Sequence, residues 1–377
     1  MTPADERGSA AGTGVAGWAM RCPACGHPLG VLPEATASSR SEADHTDADG
    51  DADGDADADA DADASAVAAI RCTACGAQWP CRDGIWRFLQ AEDAARLGAF
   101  LAEYTAVRRA EGRAAMTAAE RFALPEALSS TPLAWQWRIR AASHRTFCRT
   151  VLSGGMPGRV VDVGAGTGWL AWRLAVGGAD VLAVDVSDDA GDGLGAGGLY
   201  AADLAARGLA RRFVRAVAHA DRLPVADGAA DLVIFNASLH YAVDPAATLA
   251  EAARAVRPGG RVVVVDSPIY ARHSSGAQMV AERAAAFTAR YGYPSTAQGS
   301  REFLVAGELE RIGAAIGLTF RHARPFVDVR WALRPLTARL RGRRAPARFA
   351  VSIGTKRGER VGDRHGHGRE SGPTRML

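Results

Sequence analysis

A hydrophobic run that breaks into a glycine-rich turn constrains the fold of this chain more than any other feature. The run RVVDVGAG leads into glycines 164, 166 and 168, and GWLAWRLAVGG continues as a helix. Four more β-rich runs follow, VLAVDVS, FVRAVAHAD, ADLVIFNAS and RVVVVDSP, with helical segments near 197–211 and 245–256 between them. Strands that alternate with helices form a parallel sheet covered on both faces. We therefore predict a doubly wound α/β domain.

The spacing of the turn indicates which ligand it would bind. A dinucleotide fingerprint needs glycine at the position that Trp169 occupies, and Asp162 would repel a pyrophosphate but suit an ammonium group. Asp185 closes the second strand, where a carboxylate can accept both hydroxyls of a ribose. Asp221 follows the third strand at the same edge of the sheet. Together these acids suit a nucleoside that carries a cationic amino acid.

These residues resemble class I S-adenosylmethionine (SAM)-dependent methyltransferases, in particular the group that includes ubiquinone- and menaquinone-biosynthesis methyltransferases. The resemblance covers roughly 155–355 and implies a Rossmann-like, seven-stranded sheet whose final strand is antiparallel. It implies that the turn holds the methionine part of SAM, that Asp185 binds the ribose, and that Asp221 with the Arg222 backbone reads the adenine. The segment NASLH would line the pocket after the fourth strand. The predicted cofactor-binding residues are Asp162, Gly164, Ala165, Gly166, Gly168, Asp185, Val186, Asp221, Arg222 and Asn236.

The methyl acceptor is less constrained. His240 is the candidate catalytic base, although packing beside the cofactor is an equally good interpretation. The fourth strand ends in NASLHY, which is not the Asn-Pro-Pro-aromatic motif of exocyclic amino-group methyltransferases, and no cysteine follows the fourth or fifth strand. Upstream, Tyr104, Arg108 and the segment WQWRIR could close over the SAM carboxylate, hold a substrate, or simply pack between helices.

Two matched C-x-x-C-G segments precede this domain. Their four thiols, Cys22, Cys25, Cys72 and Cys75, predict a tetrahedral zinc site that is structural, because four thiolates fill the coordination sphere. His27 is an outside candidate for a ligand, and the remaining cysteines, Cys81 and Cys148, are interpreted as bystanders. The pattern resembles the zinc ribbons of small methyltransferase-activator proteins and, less closely, of ribosomal-RNA guanine methyltransferases with an N-terminal zinc finger.

An acidic insert separates the two cysteine pairs. Residues 34–66 carry twelve acids against Arg40, although the whole chain has a net charge of +3, and such a run buries nothing and repels itself. After the fifth strand we expect a helical insertion near 275–291, a helix at 302–316, and strands in LTFRHARPF and RFAVSIGT around the helical stretch DVRWALRPLTARL. The predicted domains are a disordered start (1–17), a zinc ribbon (18–90) with a disordered insert (34–66), a helical connector (91–152), the methyltransferase domain (153–355) and a disordered tail (356–377).

Three functions fit these features. The favoured one is methyl transfer from SAM to a small-molecule acceptor, quinone-like or a secondary metabolite. An RNA base methyltransferase would use the ribbon to dock on ribosomal or transfer RNA, but the acidic insert would repel phosphate, and no aromatic and basic RNA-reading stripe is evident. A non-catalytic SAM-binding scaffold is the third. Without a signal peptide or a run of ~18 uncharged apolar residues, we expect a cytoplasmic protein.

Overall fold

The computed structural model describes residues 17–31, 68–126, 134–292 and 299–358. The predictions of disorder for the start of the chain, the acidic insert and the tail concern residues outside these ranges, apart from Gly17 and residues 356–358. Among the described residues, no helix combines the length and the apolarity needed to cross a bilayer.

A seven-stranded sheet forms the centre of the chain. Its order is β8-β7-β6-β9-β10-β14-β13, in which β14 is antiparallel to both of its neighbours and the other central pairs are parallel. This topology confirms the predicted fold class. The strands are β6 (Arg159–Val163), β7 (Asp180–Asp185), β8 (Phe213–Val217), β9 (Ala230–Asn236), β10 (Val256–Val265), β13 (Leu318–Ala323) and β14 (Val351–Lys356).

The hydrophobic core lies on both faces of this sheet. Neighbouring residues of one strand, such as Val160 and Val161, belong to two separate buried clusters, as the alternation of side chains along a strand requires. Helices α3 (Ala134–Val151), α4 (Trp169–Val176) and α5 (Gly198–Ala206) cover one face, and α6 (Pro245–Ala255) and α8 (Glu308–Ile316) cover the other. The continuous Val and Ile runs are explained by this burial on both sides.

The N-terminal strands extend the same sheet. β5 (Ile85–Arg87) pairs in parallel with β8, and β4 (Gln78–Arg82) and β3 (Ala69–Arg71) follow, so that the sheet has ten strands. β1 (Ala19–Arg21) and β2 (Pro28–Val31) form a separate hairpin, joined to the domain by a bridge between Met20 and Val225. Trp18, Trp79 and Trp86 are buried in the cluster shared with the central strands. The ribbon and the α/β domain therefore share one core.

The remaining elements are helices that precede α3 or lie between the last strands, and one short pair of strands. Helix α1 (Ala91–Ala110) and the short α2 (Ala118–Ala123) precede α3. Helix α7 (His273–Tyr291) forms the expected insertion, and α9 (Val329–Leu340) lies between β13 and β14. The predicted helix at 302–316 was partly wrong. Leu304–Val305 forms β12, which pairs with β11 (Ile269–Tyr270), and the helix begins only at Glu308.

Candidate functional site

The glycine turn after β6 is built so that only glycine fits. Gly164, Gly166 and Gly168 all have positive φ, at 72°, 56° and 82°. A Cβ on Gly164 would lie 2.3 Å from the Cβ of Ser238, which no side chain could tolerate. The backbone N–H groups of Gly164 and Ala165 donate to the carbonyl of Val184 at 2.8 and 3.0 Å. The turn is therefore held against the end of β7 with bare backbone facing the cleft.

Asp162 lies behind this turn, within the strand. The side chain is buried, and its Oδ1 makes no hydrogen bond to the described residues. Burial, together with the charge of Asp185, raises the pKa of Asp162 to about 7. An orphaned buried carboxylate oxygen is costly unless a donor or a cation completes it. The carboxyl is therefore only partly ionised near neutral pH, and a cation beside it, such as an ammonium group, would stabilise its charged form.

Asp185 ends β7 and faces the cleft. Its two carboxylate oxygens accept hydrogen bonds from the backbone N–H groups of Gly166 at 2.8 Å and Ser187 at 2.9 Å. Burial raises the pKa of Asp185 despite these bonds. Each carboxylate oxygen can accept a further hydrogen bond, so that the group can still receive two hydroxyls.

The loop after β8 carries the next predicted residues, and they point in different directions. Asp221 lines the cleft and accepts a hydrogen bond from the hydroxyl of Thr248. The Arg222 side chain turns away from it, pairs with Asp93 at the start of α1 and donates to Gln90 at 3.1 Å. Arg222 therefore fastens this loop to the helix, and only its backbone is left for ligand recognition.

Helix α1 forms a wall of the cleft. Phe100, Leu101 and Tyr104 line it, and Tyr104 meets Tyr241 edge-on with ring centroids 6.2 Å apart. Burial raises the pKa of the Tyr104 hydroxyl. The sequence singled out Tyr104 but not Phe100 or Leu101, because the apolar residues of α1 carry no motif. The only sequence signal for Phe100 is its spacing of four residues from Tyr104, which places both side chains on one face of the helix.

Arginines of α1 also hold the loop that follows β7. Arg108 pairs with Asp192, which lines the cleft, and Arg109 pairs with Asp189 at 3.2 Å. Burial alone would lower the pKa of Arg108, but Tyr104 and Asp192 raise it, so the guanidinium stays charged. Arg108 is thus a positioning residue for the wall of the cleft. Asp192 and Thr248 carried no recognisable pattern, and sequence reasoning missed both.

The cleft encloses about 930 Å³ of empty space, part of it open to solvent. Of the predicted cofactor-binding residues, five line it: Gly164, Gly166, Asp185, Val186 and Asp221. The other five do not line it: Asp162, Ala165, Gly168, Arg222 and Asn236.

His240 lies beside the cleft, in the short 3-10 turn Leu239–Tyr241 that follows β9. Its Nδ1 is 3.3 Å from the hydroxyl of Ser267. Burial, with the charges of Arg283 and Arg140, lowers the pKa of His240 to about 3. The imidazole is therefore neutral at physiological pH and a weak base. Nearby, the buried Asp266 has a positive φ of 53° and an Oδ1 without a hydrogen bond to the described residues.

Residues 161–264 match a protein family described as "Methyltransferase domain". This part of the chain is therefore similar to a methyltransferase domain. The match spans β6 to β10 and so includes the glycine turn, Asp185, Asp221 and His240.

Individual proteins also resemble part of this chain. A malonyl-[acyl-carrier protein] O-methyltransferase of Hahella chejuensis is 39% identical over 111 residues, which are 29% of this chain and 36% of that protein. A demethylmenaquinone methyltransferase of Mycolicibacterium vanbaalenii is 36% identical over 108 residues, 29% of this chain and 41% of the relative. The chain thus spans about two fifths of the length of these relatives. The crystal structure of magnesium protoporphyrin IX methyltransferase from Synechocystis with bound SAH is 16% identical, with a TM-score of 0.39, over 59% of this chain and 87% of that one.

The four predicted zinc ligands come together in the ribbon. The Sγ atoms of Cys22, Cys25, Cys72 and Cys75 all lie within 4.8 Å of one another, and the pairs Cys22–Cys75 and Cys25–Cys72 are 3.7 and 3.6 Å apart. Zinc bound tetrahedrally by sulfur at 2.3 Å requires neighbouring sulfurs about 3.8 Å apart. His27 is not part of this cluster.

The two cysteine loops are built alike. In each, the glycine N–H donates to the carbonyl of the first cysteine, Gly26 to Cys22 at 2.8 Å and Gly76 to Cys72 at 2.9 Å. Both glycines have positive φ, at 77° and 74°. This repeated geometry turns both thiols of a loop toward the same point. The four thiols therefore fit a metal that prefers sulfur in a tetrahedral arrangement.

Proposed function

We propose that this chain is a SAM-dependent methyltransferase that acts on a small-molecule acceptor, quinone-like or a secondary metabolite. The observation that carries the proposal is Asp185, a partly buried carboxylate that faces the cleft across a turn of bare backbone. The family match of residues 161–264 supports it independently.

Each residue of the site has a defined task in this proposal. SAM, when bound, supplies an activated methyl group. Asp185 would accept the ribose hydroxyls, Asp221 the exocyclic amine of the adenine, and the orphaned oxygen of Asp162 would favour the ammonium group. Gly164 and Gly166 would leave room for the amino-acid part. Methyl transfer is an in-line displacement that depends mainly on positioning and on excluding water, and the α1 wall with Tyr104 would supply both.

His240 is our candidate catalytic residue on the acceptor side. With a pKa of about 3, its imidazole is neutral and too weak a base to remove a proton from a hydroxyl, but it could accept a hydrogen bond from an acceptor hydroxyl and so orient it. A hydroquinone-like ring has such a hydroxyl. Two relatives are named malonyl-[acyl-carrier protein] O-methyltransferase and demethylmenaquinone methyltransferase, and the second name specifies a quinone acceptor.

We further propose that the four cysteines hold one structural zinc ion. Zinc would fix the two cysteine loops relative to each other. Because β4 and β5 follow the second loop and β5 pairs with β8, the metal would also stabilise this end of the sheet. None of the six cysteines, all of which lie among the described residues, forms a disulfide bond, which is consistent with the reducing cytoplasm that we propose as the location of the protein.

Two measurements test the proposal separately. Calorimetry with SAM and with NADH should show binding of SAM alone, and no binding of SAM would refute the cofactor. Incubation with methyl-labelled SAM should label a component of a small-metabolite extract and leave RNA unlabelled. Labelled RNA would refute the acceptor class and leave the cofactor assignment intact.

A further inference from the structure

Helix α9 presents a stripe of apolar side chains to solvent. Val329, Leu333, Leu336 and Leu340 are 64, 48, 54 and 78% exposed. Their spacing of four, three and four residues places them in one line along the helix. Phe326, 67% exposed, precedes the stripe. Single exposed leucines are ordinary, but a continuous line of them marks an interaction surface.

The opposite side of α9 is anchored, so the stripe is held in this orientation. Trp331 packs against Phe349 with ring centroids 5.9 Å apart, and Arg334 donates to the carbonyl of Ala347 at 3.0 Å. Asp328 caps the helix by accepting from the backbone N–H of Trp331 at 2.7 Å. The inward face is therefore already occupied by this chain.

The charge around the stripe has one sign. Residues 321–348 contain nine arginines and a single acid, Asp328, which is paired with Arg138 at 2.7 Å. Arg330 and Arg339 flank the stripe on either side. Several of these nine arginines are exposed and form no ion pair with the described residues, among them Arg324, Arg330, Arg339, Arg341 and Arg343.

We propose that α9 lies on an anionic lipid surface, with its leucines in the interface and its arginines at the headgroups. An apolar line flanked by arginines is the pattern of an interfacial amphipathic helix. The negative charge of acidic headgroups would balance the arginines, and the acyl chains would cover the leucines.

Segments of the chain outside the described residues fit the surface less well. The acidic insert 34–66 matches the charge but has no apolar side chain larger than alanine. Residues 359–377 contain only Val361, Met376 and Leu377 as large apolar side chains. Neither segment offers a line of side chains to cover four residues of α9.

The segment after α9 contacts β11 and α7, near Ser267 and Arg283, which surround His240. Arg344, four residues after α9, donates to the hydroxyl of Tyr270 at 3.1 Å and pairs with Glu282 of α7 at 2.7 Å. Arg348 exchanges backbone hydrogen bonds with Ile269 at 2.8 and 2.9 Å. If the proposed function holds, a lipophilic acceptor would therefore reach the site from the membrane. The binding of lipid itself does not depend on that function.

Sedimentation of the full chain with vesicles tests the proposal. We expect it to sediment with vesicles of equal phosphatidylglycerol and phosphatidylcholine, and at least tenfold less with phosphatidylcholine alone. Leu333→Ser with Leu340→Ser should weaken binding at least tenfold, because burying one leucine is worth about 1.5–3 kcal/mol and 1.4 kcal/mol is tenfold in affinity. The matched control, Met156→Ser with Val176→Ser, removes two half-exposed apolar side chains elsewhere and should bind as the wild type does.

A second pair of variants keeps the test decisive if the leucine variant does not fold. Arg330→Gln with Arg339→Gln should lose most of the preference for anionic vesicles, by about fivefold per arginine at roughly 1 kcal/mol each. SAM binding, measured in the same samples, should be unchanged in every folded variant. Equal binding to both vesicle types, or none, overturns the proposal. So does a dimer, seen by sedimentation velocity, that the leucine variant dissociates, because the stripe would then be covered by a second copy of the chain.

Discussion

Replacing Asp185 with alanine tests the centre of the proposed site most directly. The change removes the carboxylate that would bind two ribose hydroxyls. A hydrogen bond to a charged group is worth about 1.5–3 kcal/mol, so two of them contribute about 3 kcal/mol even at the lower end. Since 1.4 kcal/mol corresponds to tenfold, we expect the Kd for SAM to rise about 100-fold. The Kd for S-adenosylhomocysteine should rise equally, because both ligands carry the same ribose.

The same substitution should also cost stability. The backbone N–H groups of Gly166 and Ser187 would lose their acceptor, at about 1–3 kcal/mol for each orphaned buried group. The stability of the variant is therefore measured by urea unfolding, and calorimetry is carried out under conditions in which the variant is folded. Asp180→Ala is the matched control, at the opposite end of β7, half-exposed and paired with Arg212 at 3.2 Å. It should bind SAM within twofold of wild type. A folded Asp185→Ala protein that binds SAM within threefold of wild type would refute the reasoning.

Three further predictions concern other parts of the molecule. Because folding raises the pKa of Asp162 to about 7, the unliganded chain should lose stability as the pH rises from about 4 to 7. In urea melts at pH 5 and 8, Asp162→Asn should lack this loss of stability, and equal losses in both proteins would contradict the prediction. Cys72→Ser should release the zinc and weaken SAM binding, because β5 pairs with β8 and Met20 forms a bridge with Val225 in the loop after β8. Cys148→Ser should change neither property, and metal analysis with calorimetry measures both. Because the pKa of His240 is lowered to about 3, wild type and His240→Gln should show the same pH dependence of kcat between pH 5 and 8. A kcat that falls below about pH 6.5 in the wild type alone would contradict this prediction.

Much of the α/β domain was predictable because its signals are local. Hydrophobic runs of strand length identified the seven central strands, and a glycine at positive φ is recognisable from its position after a strand. Since parallel strands end at one edge, Asp185 and Asp221 could be placed together without coordinates. The segment 302–316 shows the limit of such reasoning. Its first residues pair with Ile269–Tyr270, some 35 positions away, and that pairing overrides the helical pattern.

The sequence by itself determined the chemistry of this chain: which side chains are acids, thiols or bare backbone, and in which order the strands and helices carry them. Only the tertiary structure decided how those parts meet. The ribbon continues the central sheet, α1 walls the cleft, and the apolar side of α9 faces outward. The physical reason is that a strand edge needs hydrogen-bond partners and an apolar helix face needs burial, and many different partners can supply either one. Periodicity predicts that such a face exists, but the identity of its partner depends on contacts between residues far apart in the chain.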